Sequence, residues 1–136
     1  MTIKLAPMLA SGCTAVLKPA ELTPLSALKF GEIWTNIKGA PPGVINIVPG
    51  LGDVAGEAIV DHPTVRKISF TGSTEKGRRI MERSSKNMKR LTLELGGKGP
   101  MIVFNDANID KAAFLANLFG TMSNGQFCGA PTRLIV

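Results

Sequence analysis

Short β-rich runs alternate with helical stretches along the 136-residue chain, and this order limits the fold more than any other feature. Thr14 to Leu17, Val44 to Val48 and Lys67 to Phe70 are brief apolar or β-branched runs, each followed by a turn and then by a segment of helical character. Parallel strands cannot be closed by tight turns and need crossover segments, so this order points to strands joined by helices that cover the sheet. The expected fold class is α/β, a doubly wound and mostly parallel sheet.

Punctuating residues divide the segments. Thr23-Pro24 reads as the start of a helix, with Thr as cap and Pro at the first helical position, and Gly39 with Pro41-Pro42 ends it after about Ile37. Gly52 to Val60 reads as a helix stopped by His62-Pro63, and another helix starts near Ser73. Leu91 to Leu95 and Met101 to Phe104 are further β-compatible runs separated by Gly96-Gly97. From Asn108, the positions Ile109, Ala112, Ala113, Ala116 and Phe119 keep helical spacing, and Arg133 to Val136 begins a last strand.

With 44% hydrophobic residues the chain has the material for a globular core. The two cysteines, Cys13 and Cys128, match no zinc spacing and no secreted disulfide framework, which makes a reducing compartment, the cytoplasm, the expected location. Cys13 reads as a small buried hydrophobe in a strand, while Cys128 sits on a glycine-flanked loop and is expected to be exposed. Residues 1–13 superficially resemble a lipoprotein signal, but Pro7 interrupts the apolar stretch, and no run reaches membrane-spanning length. His62, the only histidine, has no partner cluster, so no metal site is expected.

The net charge of +6 is concentrated between Lys76 and Arg90, where Glu82 is the only counter-charge within the segment. Nucleic-acid binding is not expected: there is no Tyr, one Trp, and no aromatic interleaving to stack bases, so the segment reads as a solvated basic helix face.

Four places carry chemistry. Gly50-Leu51-Gly52-Asp53-Val54-Ala55-Gly56 follows a strand and opens a helix, although its last glycine is one residue late for the usual dinucleotide fingerprint. Phe70-Thr71-Gly72-Ser73-Thr74 also joins strand to helix, where hydroxyls and N–H groups can face an anion. Lys18 and Glu21 follow the first strand at the edge where such sheets bind ligands, and a lysine and a carboxylate there can hold two ribose hydroxyls or simply pair on the surface. Cys128 and Glu94 supply a thiol nucleophile and a carboxylate that can take the thiol proton or activate a water, a pairing suited to covalent attack on a carbonyl.

Together, Lys18-Pro19-Ala20-Glu21-Leu22-Thr23-Pro24, Pro42-Gly43-Val44-Ile45-Asn46-Ile47-Val48-Pro49-Gly50, Phe70-Thr71-Gly72-Ser73-Thr74, Leu93-Glu94-Leu95-Gly96-Gly97-Lys98 and Gly125-Gln126-Phe127-Cys128 resemble, in order and spacing, the NAD(P)-dependent aldehyde dehydrogenase family. The resemblance covers essentially the whole chain. It implies a Rossmann-like cofactor domain incomplete at both ends, with residues 1–95 as partial NAD-binding domain and 96–136 as the start of the catalytic domain. Cys128 matches the family's nucleophile, whose thiohemiacetal and thioester intermediates carry an aldehyde to a carboxylic acid, and its own N–H matches half of the oxyanion hole. Glu94 matches the glutamate that activates the hydrolytic water. Lys18 and Glu21 match ribose contacts, Gly52 lies at a helix end near the cofactor, Gly72 and Ser73 match the pyrophosphate region, and Leu95 lies against the nicotinamide, so that cofactor and nucleophile share one cleft.

Glu21 points to NAD as cofactor, because a carboxylate beside the adenosine ribose repels the 2′-phosphate of NADP. The resemblance also implies a homo-oligomeric parent enzyme and a small-molecule aldehyde as substrate; which aldehyde is not readable, since the segments lining the tunnel fall outside these residues. Two positions depart from the family pattern: Lys76 stands where a small or apolar residue usually packs on the adenine, and Pro131 stands where glycine is common. The resemblance begins just after the family's Pro-Trp-Asn motif and ends just past the nucleophile, and leaves out the first cofactor-binding strand and most of the catalytic domain. Two readings follow, a piece of a working aldehyde dehydrogenase, or a short product that keeps the fold without catalysis and binds nucleotide or a partner chain.

Overall fold

A computed structural model of the chain describes residues 2–136. In chain order the elements are α1 (Thr2–Ala10), β1 (Ala15–Leu17), α2 (Leu25–Thr35), β2 (Ile45–Ile47), a π-helical turn (Gly52–Gly56) leading into α3 (Glu57–Asp61), β3 (Lys67–Gly72), α4 (Thr74–Ser85), β4 (Arg90–Leu95), β5 (Gly99–Ile102), α5 (Ile109–Thr121), a tight turn (Met122–Gly125) and β6 (Pro131–Ile135). The class is α/β, as expected. Among the described residues the strands hydrogen-bond as three pairs, β1–β2, β3–β4 and β5–β6, of which the first and last are parallel. The chain forms two compact units, one comprising everything through Phe70 together with Arg78–Thr92, the other Thr71–Gly77 with Leu93–Val136.

In the first unit, β1 and β2 pair in register, Ala15 opposite Ile45 and Leu17 opposite Ile47. Helix α2 makes the crossover and approaches β2 so closely that a Cβ on Gly31 would lie 2.8 Å from Ile47 Cδ1. Its start differs from the expected Thr23 cap: Pro24 occupies the cap position without a side-chain hydrogen bond, and the Thr23 N–H instead closes a turn onto the Ala20 carbonyl at 3.2 Å. The helix expected over Gly52 to Val60 opens as a π turn, with the Leu51 carbonyl accepting from Val54, Ala55 and Gly56 N–H at 2.9–3.4 Å.

Helix α1 was not legible, because Pro7 reads as a breaker and yet lies inside the helix. It is stopped beyond Ala10 by Gly12, whose φ of +71° lets the Cys13 N–H reach the Met8 carbonyl at 3.1 Å, the 6→1 bond of a Schellman stop. That stop corrects the expectation for Cys13: the strand begins only at Ala15, and Cys13 is exposed at the helix end with the Ser11 hydroxyl 3.5 Å from its sulfur.

The basic segment is also more structural than a solvated face. Arg79 pairs with Glu57, and Arg83 with both Glu57 (3.0 Å) and Asp61, which fastens α4 to α3. Lys89 is buried, and its ammonium donates to the His62 carbonyl at 2.6 Å and to the Val65 carbonyl. The hydrogen bond from Arg83 is the main reason the Asp61 carboxyl is held below the usual carboxylate range.

In the second unit, β5 and β6 are parallel with a register shift between Gly99 and Pro100. Pro100 and Pro131 cannot donate to a ladder, and both fall at this irregular beginning of the pair, where a missing N–H is tolerated. Helix α5 joins the strands and is capped by Asn108, whose side-chain oxygen accepts from Lys111 N–H at 2.9 Å. No described helix is long and apolar enough to cross a membrane, and the described residues contain no group of three or more His, Cys, Asp or Glu able to hold a metal ion.

Candidate functional site

The first unit gathers Lys18, Glu21 and Gly52 around one glycine turn. Lys18 leaves the end of β1 part-buried, and its ammonium donates to the Pro19 carbonyl at 2.7 Å and the Gly50 carbonyl at 3.1 Å. The exposed Glu21 accepts the Gly52 N–H at 3.1 Å and so satisfies a donor at the start of the π turn. Gly50 is required here: its φ is +148° and a Cβ would meet the Ala55 Cβ at 3.0 Å. An ammonium has three N–H donors and a carboxylate two oxygens, so Lys18 keeps one donor and Glu21 one oxygen beyond these bonds. One donor beside one acceptor suits a vicinal diol.

In the second unit, Gly72 ends β3 and Ser73 caps α4, its hydroxyl accepting Lys76 N–H at 3.3 Å while its carbonyl accepts Gly77 N–H at 3.0 Å. The N–H groups of Thr74 and Glu75, in the first turn, have no intrahelical acceptor and are the natural donors for an anion. Leu95 is part-buried against this helix, because a Cβ on Gly77 would lie 2.7 Å from Leu95 Cδ2. Gly77, which lies outside every motif, seats that side chain. Its signal was a glycine inside a helical pattern, which costs about 1 kcal/mol relative to alanine and so calls for a packing reason.

Glu94 and Leu95 are neighbours on β4 and therefore face opposite sides of the strand, with Glu94 exposed. Cys128 is exposed, as expected. Ala130 N–H donates to the Phe127 carbonyl at 3.0 Å, which makes 127–130 a β-turn with Cys128 and Gly129 in its central positions. Ala130, at 5% exposure, anchors one side of that turn. Among the described residues the Cys128 N–H donates to no acceptor, and no hydrogen bond joins its thiol to the Glu94 carboxylate. A direct thiol–carboxylate contact, one of the two expected roles for Glu94, is therefore not made; the other, activation of a water, needs room for that water instead.

The residues brought together are thus Lys18, Glu21 and Gly52 in one unit, and Gly72, Ser73 and Leu95 along β3, α4 and β4 in the other. The chain matches the model of the aldehyde dehydrogenase family over residues 1–136. It is similar to betaine aldehyde dehydrogenase 1 of Oryza sativa subsp. japonica, with 55% identity over 99% of this chain and 26% of the relative. Aldehyde dehydrogenase family 2 member C4 of Arabidopsis thaliana is 52% identical over 98% of this chain and 26% of its own length. The chain thus spans about a quarter of the length of these relatives. Among solved structures, it resembles an Escherichia coli NADP-dependent enzyme (TM-score 0.88, 48% identity, 98% of this chain and 27% of that one). It also resembles the NAD+ complex of an aldehyde dehydrogenase from Bacillus cereus (TM-score 0.87, 46% identity, 96% of this chain and 26% of that one). Matched by the family model from end to end and carrying the cysteine turn and the glycine loops in the family's order, the chain belongs to the aldehyde dehydrogenase family.

Proposed function

We propose that the protein oxidises an aldehyde to a carboxylic acid with NAD, using Cys128 as nucleophile. The observation that carries this reading is the cysteine turn, with an exposed thiol at its tip and an N–H that has no acceptor of its own. The thiolate attacks the carbonyl carbon, and the Cys128 N–H donates to the oxygen that becomes an alkoxide. NAD, when bound, would supply the acceptor for a hydride, and loss of that hydride from the thiohemiacetal would leave a thioester on Cys128. Glu94 then takes a proton from a water that attacks the thioester; the C–S bond breaks, the acid leaves and the thiolate is restored.

The cofactor assignment rests on what Lys18 and Glu21 leave unused. The remaining Lys18 donor and Glu21 oxygen take the two ribose hydroxyls, with Gly52 beside them, and the first turn of α4 after Gly72-Ser73 takes the pyrophosphate. Leu95, held against Gly77, offers its apolar face to the nicotinamide. A 2′-phosphate would meet the Glu21 carboxylate, which favours NAD over NADP.

We assign residues 1–95 to the NAD-binding domain and 96–136 to the start of the catalytic domain, and place the protein in the cytoplasm as a homo-oligomer. Aldehyde-dependent formation of NADH, followed at 25 °C beside the Cys128→Ala variant, is the test. NADH formation that disappears in the variant supports the proposal; an equal rate in the variant contradicts it.

A further inference from the structure

We infer that Phe119 is a positioning residue for Cys128, acting through the ring of Phe127; this rests on the reading of Cys128 as nucleophile. Phe119 lies in the last turns of α5 and stacks on Phe127, with ring centroids 6.2 Å apart and planes 24° from parallel. Between them the backbone makes an unusual passage: Ser123 (φ 53°), Asn124 (φ 59°) and Gly125 (φ 78°) are all left-handed, a conformation that asparagine and glycine tolerate and that is strained for Ser123. A strained link does not hold the cysteine turn in place by itself, so something beyond it must. The ring stack does so from one side. From the other, Gly129 leaves the Phe127 ring room, since a Cβ there would lie 3.0 Å from Cε1 and 3.1 Å from Cζ. Phe127 is residue i of the turn and accepts the Ala130 N–H, so the ring's position sets where the Cys128 sulfur and N–H lie relative to a carbonyl.

Two reactions of the same sulfur separate positioning from folding. Acylation by p-nitrophenyl acetate forms a C–S bond at the carbonyl carbon and breaks the C–O bond to nitrophenoxide, which leaves with its electron pair, while the thiol proton passes to buffer. It needs both the sulfur and the oxyanion donor. Alkylation by iodoacetamide needs only the thiolate. Both are to be followed at Cys128 by peptide mass spectrometry of the protein, because Cys13 is exposed as well.

Phe119→Ala is expected to slow acylation about tenfold, a fraction of the loss that follows complete removal of an oxyanion donor, while alkylation changes less than twofold. Phe119→Tyr, which keeps the stack, restores acylation, and Gly129→Ala, which displaces the Phe127 ring from the other side, repeats the loss. Acylation unchanged in both Phe119→Ala and Gly129→Ala, or acylation and alkylation falling together, overturns the positioning role. Acylation of the unaltered protein that falls on Cys13 and leaves Cys128 unmodified instead contradicts the nucleophile reading, and the positioning role falls with it.

Discussion

The Glu21 carboxylate accepts the N–H of Gly52 at 3.1 Å, across a sequence separation of 31 residues, and thereby ties the turn between β1 and α2 to the glycine turn that leads into α3. The same carboxylate is therefore both a cap for that turn and the group assigned to the ribose. Glu21→Ala is expected to weaken NAD binding about tenfold or more, the loss of a charge-assisted hydrogen bond, and to narrow the preference for NAD over NADP. Fluorescence titration with each dinucleotide reads both effects. Affinities unchanged by the substitution would remove Glu21 from the cofactor site.

Gly77→Ala sets two effects against each other. The helix gains about 1 kcal/mol of propensity, but the new Cβ would meet Leu95 at 2.7 Å and force that side chain or the helix to shift. Overpacking of this kind costs about 1–3 kcal/mol, so net destabilisation of up to about 2 kcal/mol is expected from these two terms. The midpoint of urea unfolding measures it, and a more stable variant would show that Leu95 yields freely.

Arg83 joins α4 to Glu57 and Asp61 on α3. Because its guanidinium holds the Asp61 carboxyl below the ordinary value of 3.8, the pairing contributes stability above that pH, and the contribution fades as pH falls through the lowered folded value. Arg83→Met is expected to lower Tm at pH 7, and the difference from the parent protein is expected to shrink below about pH 4. A difference independent of pH would mean that Arg83 acts through packing of its stem alone.

Exposure of both thiols predicts that iodoacetamide labels two sites in the native protein, Cys13 and Cys128. Intact-mass measurement counts them. A single label, on Cys128, would return Cys13 to the buried position that its sequence suggested.

The sequence was most readable where local rules decide. The β-runs ending at Leu17, Val48 and Leu95 were legible within a residue or two because apolar runs bounded by glycine and proline have few other uses. The Asn108 cap and the helix after it were readable for the same reason. Helix α1 was not, since a local rule, proline as breaker, gave way to a helix that tolerates Pro7. The partners of Arg79, Arg83 and Lys89 lie on other elements, so within its own segment the basic stretch looked unpaired. Of the candidate site, the motifs named Lys18, Glu21 and Cys128. They could not reveal that Lys18 and Glu21 meet at Gly50 and Gly52, that Gly77 seats Leu95, or that Phe119 reaches Phe127.

Acylation of Cys128 and release of the acyl group with Glu94 as base, the two steps proposed for these residues, are both read by trapping the intermediate. Glu94→Gln keeps the shape of the side chain and removes the base, so incubation with an aldehyde and NAD is expected to leave a thioester on the peptide carrying Cys128, read as the added acyl mass by mass spectrometry. An acyl group found on Cys13 instead, or no acyl group on any peptide while NADH still forms, would contradict the account.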